Sequence, residues 1–368
     1  MKDFEFIGYD EPKLTPSVIR NKYLLKYKEF AFSDEDVKLI QYLLNNTGTF
    51  SDWWTTQENS FLKHVDDPEY AIRYIVFRYK FKNYPITKTV SSFPIYVLVE
   101  PVSTCNLRCP FCFQVDKSFT CKPFMGIMEF DLFKQIVDEC KKNGTGAITL
   151  ASRGEPTLHP HLSKMLDYIK DKFFEVKLNT NATRLTEEIC HSIFRNNISN
   201  IIISVDTEKE VLYEKMRVNA KFIEVVSNIK MLFNIRRQYY PKSKTIIRIS
   251  GVEFFKEQDR TTFKLFYSTM SDEITVSRAE ERWDTYNNEK SSIISPCNYI
   301  WERFYIWFDG ICNPCDVDYK SILSPGKLTK DNTIKSIWNS SKLRSLRESH
   351  VNGGRTSITP CDRCGIDW

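Results

Sequence analysis

The sequence predicts an α/β fold: a partial (β/α)6 TIM-like barrel, preceded by a mainly helical extension and followed by a small cysteine-rich module. Three observations predict it. Between about 94 and 280, β-branched apolar runs alternate with amphipathic helical stretches, the pattern of parallel strands covered on one face by helices. Polar residues gather just after those runs, where such a barrel opens its mouth. After about 290 the rhythm stops, and Cys297, Cys312, Cys315, Cys361 and Cys364 appear. The expected domains are therefore 1–92, 93–290 and 291–368.

The extension comes first. In EDVKLIQYLLNN (35–46), Val37, Ile40, Leu43 and Leu44 share one helical face. DPEYAIRYIVFRYKF (67–81) is a second amphipathic helix, opened by Asp67-Pro68. The adjacent Trp53 and Trp54 read as an aromatic anchor in a small core. The barrel then begins with strand YVLVEPVS (96–103) and helix FDLFKQIVDECKKNG (130–144), which buries Phe133, Ile136, Val137 and Cys140 and stops at Gly144. Strand AITLAS (147–152) and helix LSKMLDYIKDKF (162–173) follow. Strand FEVKLNTNA (174–182) leads to helix TEEICHSIFRN (186–196), with Thr186 as N-cap. Strand NIIISVDT (200–207), helix FIEVVSNIKMLFNIRR (222–237), strand TIIRISGVEF (245–254), helix TTFKLFYSTM (261–270) and strand DEITVSRAE (272–280) complete six units. In the last module, WERFYIWFDG reads as a strand and turn, and TIKSIWNSSKLRSLRESH (333–350) as one helix.

Composition narrows the class. A chain of 368 residues has room for two or three domains. Its 42% hydrophobic and 27% charged residues are those of an ordinary soluble protein, and a net charge of +5 gives no specific support to a nucleic-acid partner. No apolar run reaches membrane-spanning length, so no membrane role is expected. MKDFEFIGYDEPK is acidic and lacks an apolar core, unlike a signal peptide. A cytoplasmic location follows as the expectation. There the eleven cysteines stay reduced, and clustered ones suggest metal.

The stretch TCNLRCPFCFQ (104–114) places Cys105, Cys109 and Cys112 at offsets of four and three. A cuboidal 4Fe–4S cluster wants four outer ligands, so three thiolates leave one iron open to a reactant. Cys105-x3-Cys109-x2-Cys112, with Phe111 before the last cysteine, resembles the signature of radical S-adenosylmethionine enzymes. The resemblance covers roughly 94 to 280, and about three quarters of the chain with the last module. It implies that the open iron chelates S-adenosylmethionine. Reductive cleavage then yields a 5′-deoxyadenosyl radical that abstracts hydrogen from substrate.

The resemblance extends position by position. Ser152-Arg153-Gly154-Glu155-Pro156 is similar to the family's GGEP segment near the methionyl amino group, with Arg153 in place of the first glycine. It implies backbone contact at Gly154 and an ammonium partner in Glu155. Asn179, Asn181, Ser204 and Asp206 resemble contacts to ribose and methionyl carboxylate; strand-end capping is the alternative for each. Gly251, in ISGVE, resembles the place where backbone passes adenine, and a plain sheet glycine is its rival. Phe111 would lie near adenine or in the core. Arg217 either steers a carboxylate or is solvated. Arg248 and Arg278 point to the mouth on this reading, and no catalytic base is assigned.

Cys297-x12-Gly310-x4-Cys315 with Cys361-x2-Cys364 resembles the auxiliary-cluster extensions called SPASM and twitch. With four residues following Cys364, the twitch form is expected: one 4Fe–4S cluster on Cys297, Cys315, Cys361 and Cys364. Cys312 is then a spare or a competitor of Cys315, and Cys121, Cys140 and Cys190 lie outside both motifs. Structural zinc is the rival, since the close pairs also have zinc-ribbon spacing. A four-thiolate cluster has no open iron, which suits electron transfer. The resemblance thus implies an oxidoreductase that dehydrogenates a small hydroxylated substrate, a sugar or aminocyclitol, with a flavodoxin or ferredoxin as electron donor. A peptide-modifying maturase and a non-enzymatic zinc protein are the alternatives.

Overall fold

The computed structural model describes residues 14–63, 65–279 and 283–367. The N-terminal stretch weighed above as a signal peptide and the end of the sixth apolar run, Glu280, lie outside them. Six strands follow the expected rhythm: β1 Tyr96–Val99, β2 Ala147–Leu150, β3 Glu175–Thr180, β4 Asn200–Ser204, β5 Ile246–Glu253 and β6 Glu273–Arg278. Each pairs in parallel with the next, as a curved α/β sheet requires. Three short strands continue the sheet: β7 Arg303–Ile306, β8 Ile311–Asn313 and β9 Gly326–Lys327. The order is β6-β5-β4-β3-β2-β1-β7-β8-β9. β7 lies parallel to β1, with Val97 opposite Phe304, and β8 and β9 add antiparallel. The α/β, partial-barrel architecture is as the sequence predicts. The sheet also runs unbroken from β1 into the cysteine-rich segment.

The strand periodicity of two explains how the sheet is covered on both faces. Val97, Val99, Ile148, Leu150, Ile201, Ile203, Ile247 and Ile249 share a core with Phe133, Ile136, Met165 and Ile229 of the crossover helices. Tyr96, Leu98, Tyr305 and Trp307 belong to a second core with the extension. There Trp53 and Trp54 are the expected anchor, packed edge-on to one another at 5.3 Å and buried with Phe50. The extension therefore packs on the sheet itself.

Local chemistry sets the boundaries. The Glu187–Arg195 helix is capped by Thr186, whose side chain accepts from Ile189 N–H. The Phe130–Lys142 helix ends before Gly144, whose φ of +79° an L side chain rarely adopts. Two expectations change. The first strand stops at Val99, because the proline at 101 cannot continue the ladder. The single helix expected over 333–350 is two, Ile334–Trp338 and Ser341–Val351, because Ser340 turns extended and caps the second through Leu343 N–H.

A buried ion network fastens the extension to β3. Arg78, on the Pro68–Thr87 helix, donates from Nε to Glu58 at 2.7 Å and from Nη1 to Glu175 at 3.0 Å. Lys82 adds a 3.0 Å contact to Glu58, and Lys177 a 2.8 Å contact to Glu175. Burial pushes the Glu58 carboxyl upward, but Arg78 and Lys82 overcome it and hold it at about 2. Replacing Glu58 with Ala strands buried cationic charge and should cost about 3–5 kcal/mol in urea unfolding. The folded value lies below the ordinary 4.5. Stability from Glu58 is therefore full above about pH 4.5 and falls as pH drops towards 2. The native-minus-variant difference in midpoint should shrink across that window.

Candidate active site and metal centres

β1 delivers the chain directly into the three-cysteine loop. The loop is tied down at both ends. Ser103 N–H donates to Gly126 O at 3.1 Å, Gly126 N–H returns to Ser103 Oγ at 2.7 Å, and buried Leu107 anchors its middle. Gly154, after β2, presses on its backbone: a Cβ there would stand 2.2 Å from Val102 O and 2.5 Å from Thr104 O. Glu155 N–H donates to Thr104 O at 3.0 Å in the same contact. Only glycine fits so close an approach. Beside it, Ser152 holds φ at 135°, strain that the surrounding contacts must sustain.

The three thiols converge and act on one another's ionisation. Burial pushes Cys105 up to about 12 and Cys112 up to about 11. Burial also raises Cys109, opposed by Arg217, whose Nη1 lies 3.9 Å from its sulfur. Asn181 Nδ2 approaches Cys105 Sγ at 3.8 Å, and Leu107 N–H donates to it at 3.4 Å. Such thiols need iron to become thiolates, and the donors around them suit anionic sulfur. Asn179 Oδ1 is buried near the end of β3 with no hydrogen-bond partner among the described residues, as an acceptor awaiting a ligand donor would be. The donor set and the orphaned acceptor fit a three-thiolate cluster with a polar ligand beside it.

The other expected residues fall into place unequally. Asp206 is buried; its Oδ2 accepts from Arg217 Nε at 2.7 Å and its Oδ1 from Val252 N–H at 3.0 Å. Arg217 is therefore neither solvated nor free: it joins Asp206 to Cys109 and covers the Phe111 ring at 5.4 Å. Phe111 stacks on Phe254 at 4.2 Å. Asn181 is held by Asn106 and by Thr183. Ser204 is half-buried at the end of β4, opposite Ser250. Glu155 is occupied within the protein: Oε1 accepts from Thr157 N–H and from the hydroxyls of Thr157 and Thr180, and Oε2 accepts from Asn181 N–H at 2.7 Å. Burial raises its carboxyl against these donors. A Cβ on Gly251 would meet Phe263 and Val205 O, both at 3.1 Å, so the strand is closely packed there. Arg248 is bound to Glu273 at 2.5 Å, and Arg278 is exposed.

The second group lies beyond β8. Cys297, Cys315, Cys361 and Cys364 stand close together: burial raises the Cys315 and Cys361 thiols, and the neighbouring cysteines add to it. Cys297 N–H donates to His350 Nδ1 at 3.2 Å, and Val317 N–H to Cys315 Sγ at 3.3 Å. Cys312 points elsewhere, into the crossover-helix core with Phe133 and Cys140. Cys140 and Cys190 are buried there too. Among the described residues no group of three or more His, Cys, Asp or Glu closes tightly enough to hold a single ion.

Sequence reasoning missed what joins the two cysteine groups. Phe113, next to Cys112, stacks on Tyr319 at 4.8 Å and 15°. Asp116 accepts Lys320 Nζ at 2.7 Å and Tyr319 OH at 3.0 Å. Burial opposes ionisation of Asp116, yet Lys320, Ser118 and Tyr319 hold its carboxyl at about 2. Tyr286 packs on Tyr319 at 4.9 Å and donates to Asp318 at 2.7 Å. The only signal was positional: FQVD follows Cys112 and DVDYK follows Cys315.

A parallel α/β sheet with a three-thiol loop at the carboxyl end of its first strand, and four further thiols beyond, defines a class of iron–sulfur enzyme. The chain carries a domain of the radical S-adenosylmethionine superfamily, whose model matches residues 99–265, and an iron–sulfur cluster-binding domain of the SPASM type over 297–365. These domains use a 4Fe–4S cluster, S-adenosylmethionine and auxiliary iron–sulfur clusters, which sets aside zinc for the last module. Curated relatives include a tungsten-containing aldehyde ferredoxin oxidoreductase cofactor-modifying protein of Pyrococcus furiosus, 32% identical over 30% of each chain. A cysteine-type anaerobic sulfatase-maturating enzyme of Clostridium novyi is 29% identical over 44% of this chain and 48% of that one. The matches thus span less than half the length of these relatives. The fold resembles SuiB of Streptococcus suis bound to its precursor peptide SuiA, with TM-score 0.55, 13% identity, and 91% and 87% of the two chains covered. It also resembles BtrN in complex with AdoMet and 2-DOIA, with TM-score 0.52, 18% identity, and 74% and 93% covered. No helix among the described residues is long and apolar enough to cross a membrane.

Gly154→Ala tests the close approach. The added methyl must displace the Val102–Thr104 backbone, an overpacking cost of about 1–3 kcal/mol or more. The variant should lose at least tenfold in reductive cleavage of S-adenosylmethionine, whereas Gly48→Ala, with open space at its Cβ position, should not.

Proposed function

We propose that the chain is a radical S-adenosylmethionine oxidoreductase that dehydrogenates a small hydroxylated substrate, a sugar or aminocyclitol. On this reading 1–92 is the helical extension, 93–290 the partial barrel and 291–368 the auxiliary module. Cys105, Cys109 and Cys112 hold the cleaving cluster. Phe111, Gly154, Glu155, Asn179, Asn181, Ser204, Asp206 and Gly251 surround S-adenosylmethionine, with Glu155 acting through Thr180 and Asn181. Cys297, Cys315, Cys361 and Cys364 hold one auxiliary 4Fe–4S cluster. When bound, these groups supply a hydrogen-abstracting radical at one end and a one-electron acceptor at the other.

One observation carries the reading: the loops that follow Cys112 and Cys315 are fastened to each other by Phe113–Tyr319 and Asp116–Lys320. A substrate carbon that loses hydrogen to one centre must sit within electron-transfer reach of the other, and this junction spans that gap. Its lining is polar. Asp116, Tyr286, Tyr319 and Lys320 offer carboxylate, hydroxyl and ammonium groups, which suit a polyhydroxylated molecule. They also supply the groups from which a proton acceptor for the oxidised carbon is to be sought. The electron donor is expected to be a flavodoxin or ferredoxin, and the location cytoplasmic.

A peptide substrate is the second reading, favoured by the maturase among the relatives. Anaerobic incubation with reductant, S-adenosylmethionine and deuterated candidates separates the two. We expect deuterium in 5′-deoxyadenosine and a ketone product, from a sugar or cyclitol alcohol. Label arriving only from a peptide would refute the small-substrate reading. Cys112→Ala should abolish cleavage of S-adenosylmethionine; normal turnover would overturn the assignment of that loop. The purified chain should carry about eight irons, two clusters of four.

A further inference from the structure

Arg355 is a buried cation with no charged partner among its described contacts. It is 1% exposed. Its Nη1 donates to Ser295 O at 3.0 Å, and Nη2 to Cys364 O at 3.4 Å and Ile366 O at 2.6 Å. All three are neutral carbonyls, and its Nε–H has no hydrogen-bond partner among the described residues. Burying a guanidinium costs several kcal/mol unless an anion answers it. The nearby chemistry offers one. Nη2 donates to the carbonyl of Cys364 itself, so the guanidinium stands beside the thiol group.

We propose that Arg355 is the countercharge of the auxiliary cluster and raises its reduction potential. The proposal rests on the reading that Cys297, Cys315, Cys361 and Cys364 hold that cluster. Four thiolates around an iron–sulfur core leave a net negative charge, which grows by one on reduction. A fixed buried cation favours the reduced form, and an N–H aimed at sulfur acts in the same direction. The electron lost by the oxidised substrate then has a better acceptor. Other basic groups near the thiols do not replace Arg355; Arg363, between Cys361 and Cys364, is half-buried and donates to Asn288 O. His350 accepts from Cys297 N–H through Nδ1, so that nitrogen carries no proton and the ring is neutral in this arrangement. Lys88 is half-buried, bonded to Asn298 Oδ1 and lies over the Trp301 ring. Arg355 is thus a positioning residue that acts through the cluster.

The test compares the native holoenzyme with Arg355→Gln by iron content and by redox titration followed by electron paramagnetic resonance. We expect about eight irons in both. In R355Q the auxiliary cluster's reduction equilibrium should fall at least tenfold, 59 mV for one electron, with the three-cysteine cluster unmoved. Full loading with an unchanged auxiliary potential would overturn the proposal. If the variant loads only about four irons, melting of the iron-free chains decides. Without a cluster the native Arg355 charge is unanswered, so iron-free R355Q should melt at or above the iron-free native chain. A lower melting point would mean that Arg355 is only a brace for the tail, and would overturn the proposal. A native chain with only about four irons would refute the ligand reading first, and the proposal with it, before any substitution is made.

Discussion

The site hangs on one buried ion pair, Arg153 with Glu100. Both side chains are almost wholly excluded from solvent, and their Nη2–Oε1 contact is 2.5 Å. Glu100 stands at the exit of β1, where its N–H donates to Ile306 O of β7. Its carboxylate also accepts Arg153 N–H and Phe308 N–H, both at 3.3 Å. Arg153 reaches on to Tyr319 O at 2.9 Å and lies over the Trp307 ring at 4.2 Å. The pair therefore joins three things: the start of the cysteine loop, the turn after β2, and the segment that follows Cys315. A buried pair of this kind adds little net stability over apolar residues, but losing one partner costs several kcal/mol. Its value lies in fixing where three backbone segments meet.

This explains the departure from the family's GGEP segment. A glycine at 153 would leave Glu100 buried without its cation. Arginine supplies it, and its long planar head spans from β1 to the auxiliary module. The turn keeps its close approach to the cysteine loop because that contact falls on Gly154. Gln114 adds a second tie, donating to Ser103 O at 2.7 Å and to Arg153 O at 2.5 Å. The side chain at 153 thus replaces the conformational freedom of glycine with a set of bonds that hold the turn in one shape.

Local features of the fold are legible in the sequence, and non-local ones are not. Apolar periodicity marks all six barrel strands and their helices, and the four-three spacing marks the cysteine loop, because each is written in neighbouring residues. The pairing of β7 with β1 is not written that way. RFYI is an aromatic run like others nearby, and nothing in it names a partner some 200 residues earlier. The same holds for Asp116 and Lys320, whose meeting depends on that pairing. Glu155 is a subtler case. Its motif is legible, but its four donors come from Thr157, Thr180 and Asn181, so its carboxylate shapes the end of β3. The length of strand one and the break at Ser340 turn on one proline and one cap, features that amphipathic patterning overruns.

The contrast between the two cysteine groups is one of what surrounds them. Around the first, the polar groups are partly uncommitted: Asn179 Oδ1 has no partner among the described residues, and Arg217 balances Asp206 while facing Cys109. That is the environment of a centre that must accept a second molecule. Around the second, the contacts are local and closed: Cys297, Cys315 and Cys364 pack with Tyr299, Val317 and Ile366. An apolar wall that excludes solvent disfavours added negative charge, so it would make a cluster harder to reduce. An acceptor of electrons needs the opposite bias. On the proposed reading, the apolar wall and the Arg355 cation are therefore two halves of one design. The cation restores the affinity for the electron that the apolar wall would otherwise remove.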